Sequence, residues 1–312
     1  MHVTSVIKVT APGSIMLMGE HAVLFGHRAI ACAVDKRIQV TLIPRTDRTV
    51  LIRSSIADYR SSLDDLKMDQ RLSFVLFAIE QVAEDLSCGF ELDIQSEFSH
   101  TVGLGSSAAV TTAVVKAISE YRQENLTKRQ LFDRSLAVVH GVQGRGSGTD
   151  LAASVYGGLI GYTIEPRHIS ALNGLLPITL FYSGYKTKTP DVLAIVAEKM
   201  EALPDLYTAI YRLMNDTTIK AEDAIQKQNW EALGLLMNMY QGLMDALGVN
   251  DSVLSEIIYT LRQSENIFGA KISGSGLGDC VIALGVDDSL VLPYEAIPVA
   301  VSGVGVECYV DR

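Results

Sequence analysis

Apolar and polar positions follow two rhythms along this chain. Over 5–10 and 29–43 the apolar residues alternate with polar ones or run together, rich in Val and Ile, as strands do. Segments 48–53 (RTVLIR) and 90–95 (FELDIQ) repeat that habit. Between them Leu72, Val75, Leu76, Ile79, Val82, Ala83 and Leu86 recur at three- and four-residue steps, which predicts one face of a helix. Beyond a GLGSS segment, 108–121 has the length and alanine content of a buried helix, and 131–140 predicts another. Strand patterns return at 156–164 and 175–182. From 191 onward the periodic stretches 191–202, 205–228, 230–247 and 251–266 predict successive helices, with Pro190 and Pro204 at their starts. A glycine-rich turn then leads into the strand CVIALG and two weaker strands near 296–310. The pattern is mixed α and β. Its break at Pro166 and SALNGLLP puts a domain boundary near 165–175, dividing the chain into 1–170 and 171–312.

Composition narrows the function. At 312 residues, 48% of them hydrophobic, the chain can bury a sizeable core in about two domains. Its 36 acidic against 26 basic residues give a net charge of -10, and no basic run is present. Nucleic acid and membrane surfaces are therefore excluded as partners. The N-terminal MHVTSVIKVTAPGS lacks the charged and apolar regions of a leader, and no stretch reaches about 18 apolar residues, so a soluble, unprocessed protein is expected. Cys32, Cys88, Cys280 and Cys308 lie far apart with no C-x-x-C pair, which argues against a disulfide framework or structural zinc and fits a reducing cytoplasm. Of the 25 glycines, 13 fall in four clusters: 103/105, 141/144/146/148, 157/158/161 and 269/274/276/278. Bunched glycine lets backbone approach something closely.

The strongest local signal is Gly103-Leu104-Gly105-Ser106-Ser107-Ala108, lying between a strand pattern and a helix pattern. Such a loop leaves N–H groups unpaired at a helix N-terminus, where the partial positive charge favours phosphate. Its serine hydroxyls add donors and ligands for Mg²⁺. The Walker lysine is absent, and the match to G-x-G-x-x-A or to a plain tight turn stays open. In the second cluster, Asp150 sits where a glycine-rich turn meets a helix start, so it is either a helix cap or a catalytic group. Arg145 is either an anion clamp or a solvated side chain. Gly274-Ser275-Gly276-Leu277-Gly278, before a Val/Ile strand, is either a loop against a nucleotide or a helix-to-strand turn. Gly157, Gly158 and Gly161 read as packing positions. Near the N-terminus an Ala11-Pro12-Gly13-Ser14 turn precedes Glu20 and His21. The order of those two, with no second histidine, excludes a zincin site, and His2, His27, His100, His140 and His168 form no ligand spacing.

Three glycine loops in this order, behind an APG turn, resemble the GHMP small-molecule kinase superfamily from about residue 8 to 285. APGSIMLMGEHAVLFGHRAIACAVD is similar to the mevalonate kinases of that superfamily, while QGRGSGTD and SGSGLGDC look more like its phosphomevalonate kinases. The resemblance implies a two-domain α+β fold with the active site in the cleft between domains. It also implies ATP and Mg²⁺, with Gly103 to Ala108 wrapping the phosphates, Ser107 near the metal with Ser106 beside it, and Gly274, Ser275 and Gly276 supporting the phosphates. Asp150 matches the family's catalytic aspartate, Glu20 and His21 its substrate-side pair, Ser14 falls on the same substrate side, and Arg145 suits a substrate phosphate. The implied reaction is phosphorylation of the 5-hydroxyl of mevalonate, with 5-phosphomevalonate as the alternative acceptor and a weakly catalytic sensor as a further alternative. A dehydrogenase is disfavoured, because Glu120 and Glu124 fall in or just after the helix rather than at a strand end. Two departures stand out. The family lysine of APGK is Ser14 here, leaving Lys8, Lys186, Lys188 or Arg145 to supply its charge, and Phe98-Ser99-His100 replaces the proline that often precedes GLGSS. Homodimers occur in relatives, but the apolar late helices are expected to bury a core.

Overall fold

The computed structural model describes residues 5–99 and 102–311, so His2 and His100 lie outside the described residues. In chain order the strands are β1 Val6–Met18, β2 Ala29–Pro44, β3 Thr49–Ser54, β4 Tyr59–Ser62 and β5 Phe90–Ser96, with helix α1 Ser73–Glu80 before β5. Helices α2 Ser106–Tyr121, α3 Lys128–Gln143 and α4 Thr149–Tyr156 follow, then β6 Leu159–Thr163, β7 His168–Leu172 and β8 Ile178–Lys186. Four helices come next: α5 Thr189–Ala202, α6 Pro204–Gln226, α7 Trp230–Ala246 and α8 Ser252–Leu261. The chain ends with β9 Ile267–Ser273, β10 Gly278–Gly285, β11 Glu295–Ile297 and β12 Glu307–Asp311.

An eight-stranded sheet runs β12-β1-β2-β5-β3-β4, with β6 beside β2 and β7 beside β6; a four-stranded sheet runs β11-β8-β10-β9. Helices α1 to α4 pack with the first sheet, and α7 and α8 with the second. Both helix starts at proline hold, since Pro190 and Pro204 occupy the first turns of α5 and α6, where a missing N–H costs nothing.

Several expectations change. The Ala11-Pro12-Gly13-Ser14 turn is a continuation of β1, creased by a register shift against β2 between Pro12 and Ser14. On one side of that shift Ile7, Val9 and Ala11 join the core under α1 to α4; on the other, Ile15 and Leu17 join the core of the second sheet and its helices. The crease therefore swaps the faces of the strand and aims Ser14 at α4. The 251–266 pattern ends as helix at Leu261, and β9 follows, so the glycine run 274–278 is a strand-to-strand hairpin rather than a helix-to-strand turn. The helix expected over 72–86 is α1 flanked by short 3₁₀ turns. A boundary at 170/171 would cut β7, which pairs with β6, and β12 returns to the first sheet beside β1.

Candidate active site

Loops from both sheets converge on a cleft of about 300 Å³, a size that suits a small molecule. One wall is the start of α2. Gly105, at φ 62°, holds the cap position in the left-handed region, and no side chain caps the helix. The first N–H groups of α2 are thus left for a ligand, at the positive end of a buried helix. Gly103, Gly105, Ser106, Ser107 and Ala108 line the cleft. Leu104 does not: its side chain is fully buried in the core, and its carbonyl accepts the Ser14 N–H at 3.0 Å. The dinucleotide reading fails on topology, because the next strand after these helices, β6, runs antiparallel to β2 and forms no βαβ unit with β5.

The floor is Asp150. Gly148, at φ 83°, takes the cap position of α4 with no side-chain bond, so Asp150 is not a helix cap. Its Oδ1 instead accepts the Ser14 hydroxyl at 2.8 Å. Burial raises the Asp150 carboxyl above its ordinary value; the Ser14 bond and the Lys186 charge pull it down, and Asp279 adds to the rise. Ser14 is 1% exposed and, against expectation, is not itself part of the cleft lining; besides bonding Asp150 it packs against Gly105, where a Cβ would lie 2.0 Å from its Oγ. The turn behind it is fixed by Tyr162, whose hydroxyl donates to the Ser147 carbonyl at 2.6 Å. Arg145 is exposed on the rim, donating to the Pro190 carbonyl at 3.0 Å.

The opposite wall joins the Glu20-His21 turn to the β9–β10 hairpin. Glu20 Oε1 meets Lys271 Nζ at 2.5 Å, both side chains buried, and the Lys271 ammonium also donates to the Ile272 carbonyl. The Tyr240 ring lies under that ammonium at 5.4 Å, and its hydroxyl donates to the Glu20 carbonyl at 2.9 Å. Burial pushes Glu20 up and Lys271 down, and each partner draws the other back. His21 is held neutral by burial, so Nε2–H donates to the Ser275 carbonyl at 2.8 Å and Nδ1 is left as an acceptor. Glu20 Oε2 and His21 Nδ1 are buried without a protein partner. Gly274 and Ser275 line the cleft, whereas Gly276 packs behind it, where a Cβ would come within 2.3 Å of the Val249 carbonyl.

Sequence reasoning passed over Lys271 and Asp279. A lysine inside the apolar strand IFGAKIS was the available signal for the first. For the second the signal was an aspartate at the end of a glycine run, and it adopts a left-handed φ of 69°. Of the 157/158/161 cluster, two glycines pack as expected: a Cβ at Gly157 would sit 2.2 Å from the Gly305 nitrogen, and one at Gly161 would strike Glu222 and Arg28, whereas Gly158 has open space and a left-handed φ of 71°.

The model of the GHMP kinases N terminal domain matches residues 73–158, and that of the GHMP kinases C terminal matches 221–291. The mevalonate kinase of Pyrococcus furiosus is 33% identical over 296 residues, covering 88% of each chain. The mevalonate kinase of Methanothermobacter thermautotrophicus is 32% identical, again across 88% of each. Among solved structures, the Lin0012 protein of Listeria innocua superposes with a TM-score of 0.86 at 23% identity, covering 97% of this chain and 99% of that one. Mevalonate kinase of L. major in complex with R-mevalonate superposes at 0.77 with 26% identity, covering 90% and 87%. With both halves matched in order and relatives aligned along nearly its whole length, this chain belongs to the GHMP kinase family of ATP-dependent small-molecule phosphotransferases.

Proposed function

We propose that this kinase transfers the γ-phosphoryl group of ATP to the 5-hydroxyl of mevalonate, giving 5-phosphomevalonate and ADP. The observation that carries the reading is Asp150, set at the floor of the cleft between the open start of α2 and the Glu20-His21 turn. Relatives named mevalonate kinase over 88% of this chain support the acceptor. Phosphoryl transfer asks the protein mainly for positioned phosphates and a proton acceptor. The α2 N–H groups would hold the phosphates. Because the Ser14 hydroxyl holds Asp150 Oδ1, Oδ2 would take the proton of the 5-hydroxyl as its oxygen bonds to Pγ. The bond from Pγ to the β–γ bridging oxygen breaks, and ADP leaves. The orphaned Glu20 Oε2 and His21 Nδ1 are the groups left to orient the acceptor.

Ser106 and Ser107 offer oxygen donors, as a hard cation requires, and among the described residues no cluster of three or more His, Cys, Asp or Glu forms a cage of its own. Mg²⁺ arriving with ATP would be held by Ser107, phosphate oxygens and water, and it supplies neutralisation of phosphate charge. We assign the two units as residues up to 172 with the returning β12, and the later helices with the second sheet.

A second reading, 5-phosphomevalonate as acceptor, is favoured by exposed Arg145 on the rim, which suits a substrate phosphate. ADP release with Mg-ATP and mevalonate, 5-phosphomevalonate or galactose in parallel separates them. Release with mevalonate is expected. Release with 5-phosphomevalonate alone moves the assignment to the second reading, and acceptor binding without turnover moves it to a sensor.

A further inference from the structure

Two cations line the cleft among the described residues, Arg145 and Lys186. Arg145 donates to Pro190 on the rim, and Lys271 lies fully buried behind Glu20. Lys8 is engaged with Asp311, the residue that pairs with Val6 at the far end of β1, and Lys188 is not part of the lining. Lys186 is the last residue of β8, opposite Gly278 at the start of β10. The backbone on either side of it is tied down. Tyr185 donates its hydroxyl to Asp251 Oδ2 at 2.6 Å, and Thr187 donates to the Leu277 carbonyl at 2.6 Å. The Lys186 side chain itself is 34% exposed and meets Asp279 Oδ2 at 2.7 Å.

Asp279 is built into the phosphate loop. Its φ of 69° is one that few non-glycine residues adopt, and a Cβ added to Gly103 would lie 2.5 Å from both of its carboxylate oxygens. A strained, largely buried carboxylate pressed against the Gly103 backbone thus holds a lysine at the point where α2 opens into the cleft. The same lysine is close enough to draw down the Asp150 carboxyl. Ser14 bonds Asp150 but brings no charge.

We propose that Lys186 is the phosphate-binding cation of this active site: held in store by Asp279, it turns from that carboxylate to the terminal phosphate of the nucleotide. The proposal rests on the kinase reading above. In the resting state the ammonium neutralises Asp279. With ATP present, its flexible stem lets it follow the negative charge, while the pinned backbone keeps its reach fixed. A lysine suits this exchange because it bonds as a mobile point charge rather than a fixed fork.

The test uses the full-length protein and the variants Lys186→Met, Lys186→Arg and Asp279→Asn, each checked for folding by thermal melting. Calorimetric titration with ATP and ADP, both with Mg²⁺, comes first. The wild type is expected to prefer ATP over ADP, and Lys186→Met is expected to erase that preference. Turnover with mevalonate should then fall about 10²-fold or more in Lys186→Met, with the KM for mevalonate within about threefold. Lys186→Arg should restore at least about tenfold of that loss, and Asp279→Asn should cost less than Lys186→Met because the lysine remains. A Lys186→Met protein that keeps both the ATP preference and the wild-type kcat overturns the proposal and leaves the pair as a rim salt bridge. If Lys186→Met fails to fold, Lys186→Gln replaces it in the same comparison. A wild type that binds ATP but turns over none of the acceptors refutes the acceptor assignment alone, since the ATP-over-ADP comparison still decides on Lys186. A wild type that binds neither nucleotide overturns both.

Discussion

Two lysine–carboxylate pairs anchor on the β9–β10 hairpin beside this cleft, and they differ in what surrounds them. Lys271–Glu20 is sealed, with side-chain exposures of 0% and 2%, and an aromatic ring beneath the ammonium. Lys186–Asp279 is half open, at 34% and 11%. Both tie segments distant in the chain. In the sealed pair neither ion can find water, so neither can leave the other; it works as a rivet between the Glu20-His21 turn and the β9–β10 hairpin. In the open pair solvent reaches the lysine, so its end of the contact can be exchanged for a better one. One pair fixes the shape of the cleft, and the other is free to respond to what enters it.

Breaking the sealed pair should have the largest effect. Lys271→Met leaves Glu20 buried without its counter-ion, at a cost of about 3–5 kcal/mol in folding stability. Urea denaturation measures it, and the loss should be far greater than for Lys186→Met, expected at about 1 kcal/mol or less. A loss of similar size for both lysines would remove the distinction. Replacing both members of the sealed pair, as Glu20→Leu with Lys271→Met, should recover much of the lost stability, because no charge is left stranded. It should not recover turnover, since Glu20 Oε2 disappears with the pair.

Next comes the group that the open pair serves. Asp150→Asn keeps the size of the side chain and can keep a bond to Ser14, so folding should change little. Turnover should fall by about 10²-fold or more, the scale of a lost proton acceptor, with ATP affinity in calorimetry nearly unchanged. Wild-type turnover would return Asp150 to a purely structural role.

The halves of the site were unequally legible in the sequence. The α2 wall was readable because its features are local: glycines, serines and a helix start lie within six residues, 103 to 108, and α2 forms where alanine and periodicity predict it. Asp150 was readable as a candidate, but its bond to Ser14, 136 residues away, depends on a crease in β1 that no local pattern marks. Lys271 and Glu20 are 251 residues apart, so their pairing is a product of topology. The same holds for β9: the helical pattern runs on to 266, past the helix end at Leu261, and the apolar run that follows it reads only as the approach to a glycine turn. The short polar strand β4 offered no alternation to find, and β7 lay in a stretch whose proline and glycine suggested a linker.

The smallest effects, and the sharpest on the open pair, lie in the pH dependence of kcat. Only the ionised Asp150 accepts a proton, so activity should fall as pH drops through its raised value. The neighbours that set that value act in known directions. Ser14 and Lys186 favour the ionised form and Asp279 disfavours it; nearby Cys32 stays a neutral thiol, pushed up to about 12 by burial and by Asp150 itself. Removing the hydroxyl in Ser14→Ala should move the acid limb to higher pH and lower kcat at neutral pH about threefold to tenfold, the net scale of one ordinary hydrogen bond. Lys186→Gln should move the limb the same way, and Asp279→Asn should move it to lower pH. The opposite signs for Lys186 and Asp279 matter most, because a salt bridge serving only to hold β8 and β10 together would shift the limb alike, or not at all, when either partner is removed.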